Sequence, residues 1–197
     1  MNRISLHKFE NSNYEKKILI IGVFHGDEPQ GEYFINSYIK DCSIGKNALY
    51  FIPRLNSNNA RQNKNGVDLN RNFPTKNWVL SHKDDYYGGD KPNSETETQF
   101  LVKLIDENKF DAIITIHSPY KTVNYDGPAE YLAREISEIV GYPPSSDIGY
   151  PTPGSFGTYC GVERQIPTIT IEIDEEEEID KLNLKFQNLF NWLKNQY

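Results

Sequence analysis

Two of the four histidines, together with one glutamate, are placed where they could bind a metal ion. His25 and His117 each follow directly after an apolar run of strand length, and Glu28 comes three residues after His25. In open α/β sheets, ligands bind in the crevice beyond the carboxyl ends of the strands, and both imidazoles are expected to project into it. Two imidazole nitrogens and a carboxylate leave a fourth coordination position free for water, as in catalytic zinc sites. The sequence therefore predicts a metal site formed by His25, Glu28 and His117.

Each of these residues also has an ordinary structural interpretation. A histidine after a strand is commonly a hydrogen-bonded loop residue, and Glu28 alone could be an acidic residue in the first turn of a helix. Glu172 lies in the isoleucine-rich segment 166–173. An acid there is costly to bury unless it is paired or catalytic. It could also face solvent on an edge strand.

A long polar loop separates these residues along the chain. Between Arg54 and Pro74 there are seven asparagines and almost no apolar periodicity. Loops of this length without secondary structure are usually functional or disordered. Asp68, Asn70 and Arg71 lie within it and could be functional, or could form an Asx-rich turn with a surface arginine.

Hydrophobic periodicity predicts the elements that position these residues. Strands are expected at 17–24, 48–52, 111–116 and 166–173. Helices are expected at 28–40, after a capping box formed by Ser94 and Glu97, at 128–140 and at 175–195. Gly141 is placed to end the third of these helices. The acids 174–178 lie at the start of the last one, where the helix dipole would stabilise their negative charge. Strands that alternate with helices indicate an α/β fold, a three-layer α/β/α sandwich with a mixed, mainly parallel sheet.

Composition narrows the class of protein. A chain of 197 residues fits one domain, here residues 1–197, and a net charge of −7 argues against nucleic-acid binding. Cys42 and Cys160 are far apart and outside any thiolate motif, which fits a reducing cytoplasm. The segment from Met1 to Glu10 lacks the apolar core of a secretory signal, and no apolar run is long enough to span a membrane.

Several motifs occur in the order found in one enzyme family. They are His25-Gly-Asp-Glu28, Arg61, Val67-Asp-Leu-Asn-Arg-Asn-Phe-Pro74, Ser94-Glu-Thr-Glu97, Ile116-His-Ser-Pro119 and Ile171-Glu-Ile173. This order resembles the zinc carboxypeptidase family of the carboxypeptidase A type, over roughly residues 17 to 175. The His-Gly-Asp-Glu form, the His-Ser-Pro sequence and Gly149-Tyr-Pro-Thr-Pro-Gly-Ser155 look most like its small bacterial murein peptide amidase branch.

The resemblance implies a role for each matching residue. His25, Glu28 and His117 would bind one Zn²⁺, with Asp68 behind the first histidine. Asn70 and Arg71 would receive the terminal carboxylate of the substrate, Arg61 would polarise the scissile carbonyl, and Glu172 would be the general base. The mobile tyrosine of the family corresponds to Tyr150, 22 residues before Glu172, with Tyr159 as a second candidate.

The function implied is hydrolysis of an amide bond next to a free C-terminal carboxylate. In the amidase branch this bond joins γ-D-glutamate to meso-diaminopimelate in murein peptides, and the expected partner is a murein tripeptide or a related small peptide. The alternatives are an N-acyl amino acid deacylase of the aspartoacylase type, a carboxypeptidase acting on ordinary peptides, and a non-catalytic protein that binds peptide termini. The longer digestive enzymes of the family carry peripheral elements for which a chain of 197 residues has little room.

Overall fold

A seven-stranded mixed sheet forms the centre of the computed structural model, which describes residues 4–197. The strands are β1 (His7–Phe9), β2 (Lys17–Ile21), β3 (Ala48–Ile52), β4 (Ala112–His117), β5 (Thr122–Asp126), β6 (Pro144–Ser145) and β7 (Thr168–Glu172). Their order across the sheet is β1-β3-β2-β4-β7-β5-β6, and only the β1–β3 and β7–β5 pairs are antiparallel. The prediction of a mixed, mainly parallel sheet is confirmed.

Helices cover both faces of this sheet. They are α1 (Gln30–Ile39), α2 (Thr96–Glu107), α3 (Glu130–Val140) and α4 (Ile179–Asn195). One apolar cluster joins the sheet to α1, α3 and α4, and a second joins the opposite face to α2. This is the expected three-layer α/β/α sandwich. Within residues 4–197, no helix combines the length and the apolar character that crossing a membrane requires.

The side-chain alternation predicted for β7 is confirmed. Ile169 and Ile171 are fully buried in the cluster with α1, α3 and α4, whereas Thr168, Thr170 and Glu172 face the other way. Strand β5 pairs antiparallel with β7, with Asn124 opposite Thr170. The two strands therefore share one face that packs in the core and one face that is polar.

Several predicted boundaries need correction. Helix α1 begins at Gln30 rather than at residue 28, and the acids 174–178 precede α4 instead of forming its first turn. The predicted capping box is wrong because α2 begins after Glu95, with no side-chain cap; the Ser94 hydroxyl donates to the Glu95 carboxylate instead. Sequence reasoning also missed β1, β5 and β6, which are short or irregular in pattern.

Two smaller predictions concern single residues. Gly141 ends α3 in the left-handed conformation, at φ 81°, and its N–H donates to the carbonyl of Ser137, as predicted. Cys42 and Cys160 are both free. Residues 1–3, at the start of the segment expected to lack a secretory signal, lie outside the described residues.

The long loop has little regular structure beyond the single 3₁₀ turn Leu69–Arg71. Asparagine side chains hold it in place instead. Asn56, Asn63 and Asn72 are buried. The Asn56 amide donates to the carbonyls of Ala60 and Arg61. Such side-chain bonds replace the backbone ladder that a strand or helix would supply. The loop is therefore ordered, and it lies against the carboxyl ends of the central strands.

Candidate active site

His25, Glu28 and His117 converge at the carboxyl ends of β2 and β4. Nδ1 of His25 lies 2.9 Å from one carboxylate oxygen of Glu28, and Nδ1 of His117 lies 2.9 Å from the other. One ligand atom from each residue falls within 4.8 Å of the others. Strands β2 and β4 are neighbours in the sheet, but the next strand along the chain after β2 is β3, which lies on the opposite side of β2 from β4. This is the kind of switch point at which α/β sheets bind ligands.

Close backbone packing explains why Glu28 reaches His25. A Cβ atom on Gly31 would collide with the carbonyl oxygen of Gly22, so the first turn of α1 lies directly on the end of β2. The chain must reverse over the few residues between them, and the N–H of Glu28 donates to the carbonyl of His25 at 3.1 Å. The His-x-x-Glu spacing therefore brings imidazole and carboxylate to the same side of a tight turn.

Asp68 fixes the orientation of His25. Its fully buried carboxylate accepts from Nε2 of His25 at 3.1 Å and from the N–H of Asn70 at 2.8 Å. Burial alone would raise the pKa of Asp68, but His25 and Arg61 lower it to about 2. An ionised carboxylate on Nε2 holds the proton there and leaves Nδ1 facing Glu28, the arrangement that strengthens a histidine ligand.

The charges of the triad formed by His25, Glu28 and His117 are balanced locally. Burial opposes the ionised form of Glu28, yet the imidazoles of His117 and His25 hold the pKa of its carboxyl well below its usual range. The carboxylate is therefore available as an anionic ligand at neutral pH. The Arg61 guanidinium makes two bonds to Asp68, at 3.0 and 3.1 Å, and its Nη1 lies 3.9 Å from Glu28. Arg61 thus points a cation at the edge of the triad.

Asn70 and Arg71 sit on the 3₁₀ turn that follows Asp68. The N–H of Phe156 donates to the Asn70 side-chain oxygen at 2.9 Å, and Arg71 Nη1 donates to the Asn70 carbonyl at 2.7 Å. Arg71 is buried, yet it lines the same cleft as the triad. A buried guanidinium fork at the wall of a cleft is suited to bind a carboxylate in a bidentate manner.

Glu172 is next to the triad across the sheet. It pairs in register with His117, is 4% exposed, and its Oε2 has no hydrogen-bond partner among residues 4–197. Burial is the main cause that raises its pKa to about 8, and the nearby Glu28 carboxylate adds to it. The alternative of a solvent-facing acid on an edge strand is wrong, since β7 lies between β4 and β5. A carboxyl group with a pKa near neutrality can both take and return a proton.

The candidate tyrosines have different surroundings. Tyr150 lines the cleft, 37% exposed, with its ring centroid 6.2 Å from that of Tyr120. Burial and a hydrogen bond with Tyr120 raise its pKa to about 12. Tyr159 instead belongs to the core, with the Arg164 guanidinium 3.4 Å from its ring centroid. Tyr159 is therefore wrong as a substrate-covering residue, because it does not reach the cleft.

Sequence reasoning missed two groups that line the cleft. Tyr86 lies beneath the guanidinium groups of both Arg61 and Arg71, at 4.7 and 5.8 Å from its ring centroid. Asn124 and Asp126 come from β5, a strand the periodicity did not reveal. The alternation of Thr122, Asn124 and Asp126 on one side of Val123 and Tyr125 was the signal available for β5.

The donor set fits the metal that the motifs imply. Two imidazole nitrogens and a carboxylate match the three protein ligands of catalytic zinc sites that keep an open position. Both Nδ1 atoms point at the same carboxylate, and Asp68 supplies the outer carboxylate that such histidines use.

Comparison with known proteins agrees with this geometry. A family model described as "Zinc carboxypeptidase" matches residues 52–153. A murein peptide amidase A from Vibrio campbellii is 35% identical over 173 residues, which cover 79% of this chain and 68% of the relative. The chain belongs to the zinc carboxypeptidase family. It is therefore an enzyme of the hydrolase class.

Further relatives extend this family assignment. A murein peptide amidase A from Escherichia coli K12 is 30% identical over 193 residues, 88% of this chain and 79% of the relative. The crystal structure of a murein-tripeptide amidase from Escherichia coli O157 superposes with a TM-score of 0.82 at 27% identity, covering 95% of this chain and 84% of that one. Carboxypeptidase A from Helicoverpa armigera has the same fold at 16% identity, with a TM-score of 0.77 over 97% of this chain and 63% of that chain. The match to the family model includes Arg61, Asp68, Asn70, Arg71, His117 and Tyr150 but not His25, Glu28 or Glu172.

Proposed function

We propose that this protein is a zinc-dependent amidase that hydrolyses the bond between γ-D-glutamate and meso-diaminopimelate in murein peptides. The observation that carries the proposal is that one cleft brings together the three potential metal ligands, the buried Arg71 and the Glu172 carboxyl, whose Oε2 has no hydrogen-bond partner among residues 4–197. The relatives named murein peptide amidase A support the choice of substrate.

His25, Glu28 and His117 would hold one Zn²⁺. When bound there, the metal ion acts as a Lewis acid that makes water acidic enough to deprotonate near neutral pH. Asp68 supports this set by holding the His25 tautomer. The protein would then need no covalent nucleophile.

Glu172 would accept the proton of the attacking water as the oxygen bonds to the amide carbonyl carbon. It would then return that proton to the leaving nitrogen as the carbon–nitrogen bond breaks, so one carboxyl group serves both steps. Arg61 would donate to the carbonyl oxygen as negative charge develops there. Its Nη1 already lies near Glu28, on the side of the triad.

Asn70 and Arg71 would bind the free α-carboxylate of the leaving residue, and Tyr150, which lines the same cleft, would cover it. A substrate with this end blocked should therefore fail. We also propose that the catalytic domain spans residues 1–197 and acts in the cytoplasm on peptides recycled from the cell wall, which agrees with the two free thiols Cys42 and Cys160.

The test is mass spectrometry of the zinc-loaded protein incubated with L-Ala-γ-D-Glu-meso-diaminopimelate. We expect release of free diaminopimelate, no release from the same peptide with an amidated C-terminus, and loss of activity on chelation. An N-acyl amino acid deacylase would instead prefer small acyl amino acids, and an ordinary carboxypeptidase would cleave all-L peptides. Activity only on those substrates, or none on any of them, would contradict the proposal.

A further inference from the structure

Asp126 is an acidic residue on the cleft wall that the proposed reaction does not use. It ends β5, lines the cleft with Asn124 and Thr170, and is half-buried. Its side chain lies on the same face of the sheet as Glu172, because β5 residues 122, 124 and 126 pair with β7 residues 172, 170 and 168. The residue therefore faces the space in which the substrate would bind.

The Asp126 carboxylate has no cationic partner within residues 4–197. Burial is the cause that raises the pKa of its carboxyl, and no charged neighbour offsets it. Gly157 lies directly against this carboxylate, because a Cβ atom there would collide with it. A half-buried acid without a counterion costs stability unless a ligand supplies the missing charge.

The span between Glu172 and Asp126 leaves room for a long substrate side chain. Asp126 is four residues beyond Thr122, whose Cα pairs with that of Glu172, and four strand residues span roughly 13 Å. The reacting amide would lie beside Glu172, and Arg71 would hold the α-carboxylate of the leaving residue. The side chain of that residue is then left to extend along β5 toward Asp126.

We propose that Asp126 binds an ammonium group at the end of the side chain of the substrate's C-terminal residue. This inference rests on the proposed function and assigns the selection of diaminopimelate over uncharged residues to one carboxylate. Asn124 and Thr170 form the polar wall between Glu172 and Asp126. Asp126 would thus be a specificity-determining residue, with no part in the bond-breaking steps.

The experiment compares three zinc-loaded variants on three peptides that differ only at the C-terminal residue. The peptides are L-Ala-γ-D-Glu followed by meso-diaminopimelate, by α-aminopimelate, which lacks only the second ammonium, or by L-lysine, which lacks only the second carboxylate. The variants are the unmodified protein, Asp126→Asn, which keeps the shape of the side chain, and Glu138→Gln as the matched control. Glu138 is an exposed acid on α3, so its loss changes net charge equally. Zinc content and melting temperature are measured for each variant.

For the unmodified protein, kcat/KM should be at least about 30-fold lower on the α-aminopimelate peptide than on the diaminopimelate peptide, as expected for a buried charge pair left without one partner. Asp126→Asn should lose about the same factor on the diaminopimelate and lysine peptides and change little on the α-aminopimelate peptide. Glu138→Gln should behave as the unmodified protein on all three.

Two results would overturn the inference. In one, the unmodified protein cleaves the diaminopimelate and α-aminopimelate peptides equally well. In the other, Asp126→Asn lowers kcat/KM by the same factor on every peptide at unchanged zinc content, which would show a structural role. If the unmodified protein cleaves none of the three peptides, the proposed function itself fails, which is a separate outcome.

Discussion

Glu172 lies in surroundings that suit a proton-transfer group and would be costly for a purely structural one. Within the described residues 4–197 its Oε2 is buried without a hydrogen-bond partner, and burial together with Glu28 raises its pKa to about 8. Its neighbour on β4 is the potential ligand His117. The isoleucine-rich segment around Glu172 left burial and solvent exposure both open, and the position of β7 between β4 and β5 decides for burial.

Replacing Glu172 with glutamine should separate catalysis from metal binding. We expect Glu172→Gln to retain zinc, since the side chain lies outside the triad, and to lose about 10²- to 10⁴-fold in kcat, the usual contribution of a general base. The measurement is kcat on the murein tripeptide beside metal analysis of the same sample. Full activity in a zinc-loaded Glu172→Gln protein would rule out the proposed mechanism.

Arg61 should act mainly on the transition state. We expect Arg61→Ala to lower kcat by about 10²- to 10³-fold, the range found when one oxyanion donor is lost. Arg54→Ala is a suitable control, because Arg54 also pairs with a glutamate, Glu32 at 2.7 Å, but does not line the cleft. Since Arg61 also bonds to Asp68, zinc content is measured in parallel; a rise in KM with unchanged kcat would assign Arg61 to substrate binding instead.

At the scale of elements, the loop 54–74 shows where pattern reasoning reaches its limit. Its asparagines marked it as unusual, and the motif around Asp68 pointed to its role. The pattern does not reveal that these amides replace a backbone ladder, because several of the bonds join residues that only the folded chain brings together. Asn72 illustrates this, since its amide donates to the carbonyls of Gly88 and Lys91, residues distant in the sequence.

Removing the Asn72 side chain should loosen the loop from α2. Its oxygen also accepts from the N–H of Glu95 and the hydroxyl of Thr98. We expect Asn72→Ala to lower the free energy of unfolding by about 2 to 4 kcal/mol, because several buried polar groups lose their partners. Chemical denaturation measures this, with the exposed Asn59→Ala in the same loop as control. Equal stability of the two variants would show that the loop is held by other contacts.

At the scale of the whole molecule, the layer order and the direction of most strands followed from hydrophobic periodicity. Four long apolar segments carried that signal, from the buried run of β2 to the alternating run of β7. The edge strands β1 and β6 have three and two residues, too few for a periodic pattern. The position of the cleft was predictable because both histidines follow strands, whereas its far wall on β5 was not.

Bound metal should stabilise the entire domain, because the three ligands join β2, β4 and the turn before α1. At a zinc concentration about 1,000 times Kd, binding adds about 4 kcal/mol, which corresponds to a rise in melting temperature of about 8 to 16 °C for a chain of this size. Differential scanning calorimetry of chelated and zinc-reconstituted protein measures this rise. His25→Ala should remove it, and a chelated protein that melts at the reconstituted temperature would contradict a zinc site here.

Strand β5 divides its residues between two tasks in strict alternation. Val123 is fully buried and Tyr125 is partly buried against the core, whereas Asn124 and Asp126 reach the cleft. Among residues 4–197 the Asp126 carboxylate makes no ion pair, whereas the amide of Asn124 also donates to the carbonyl of Ser145 at 3.0 Å. With Asp126 in the role we propose, the charge preference of the enzyme could diverge in evolution by a single substitution on one side of β5, while the other side preserves the scaffold.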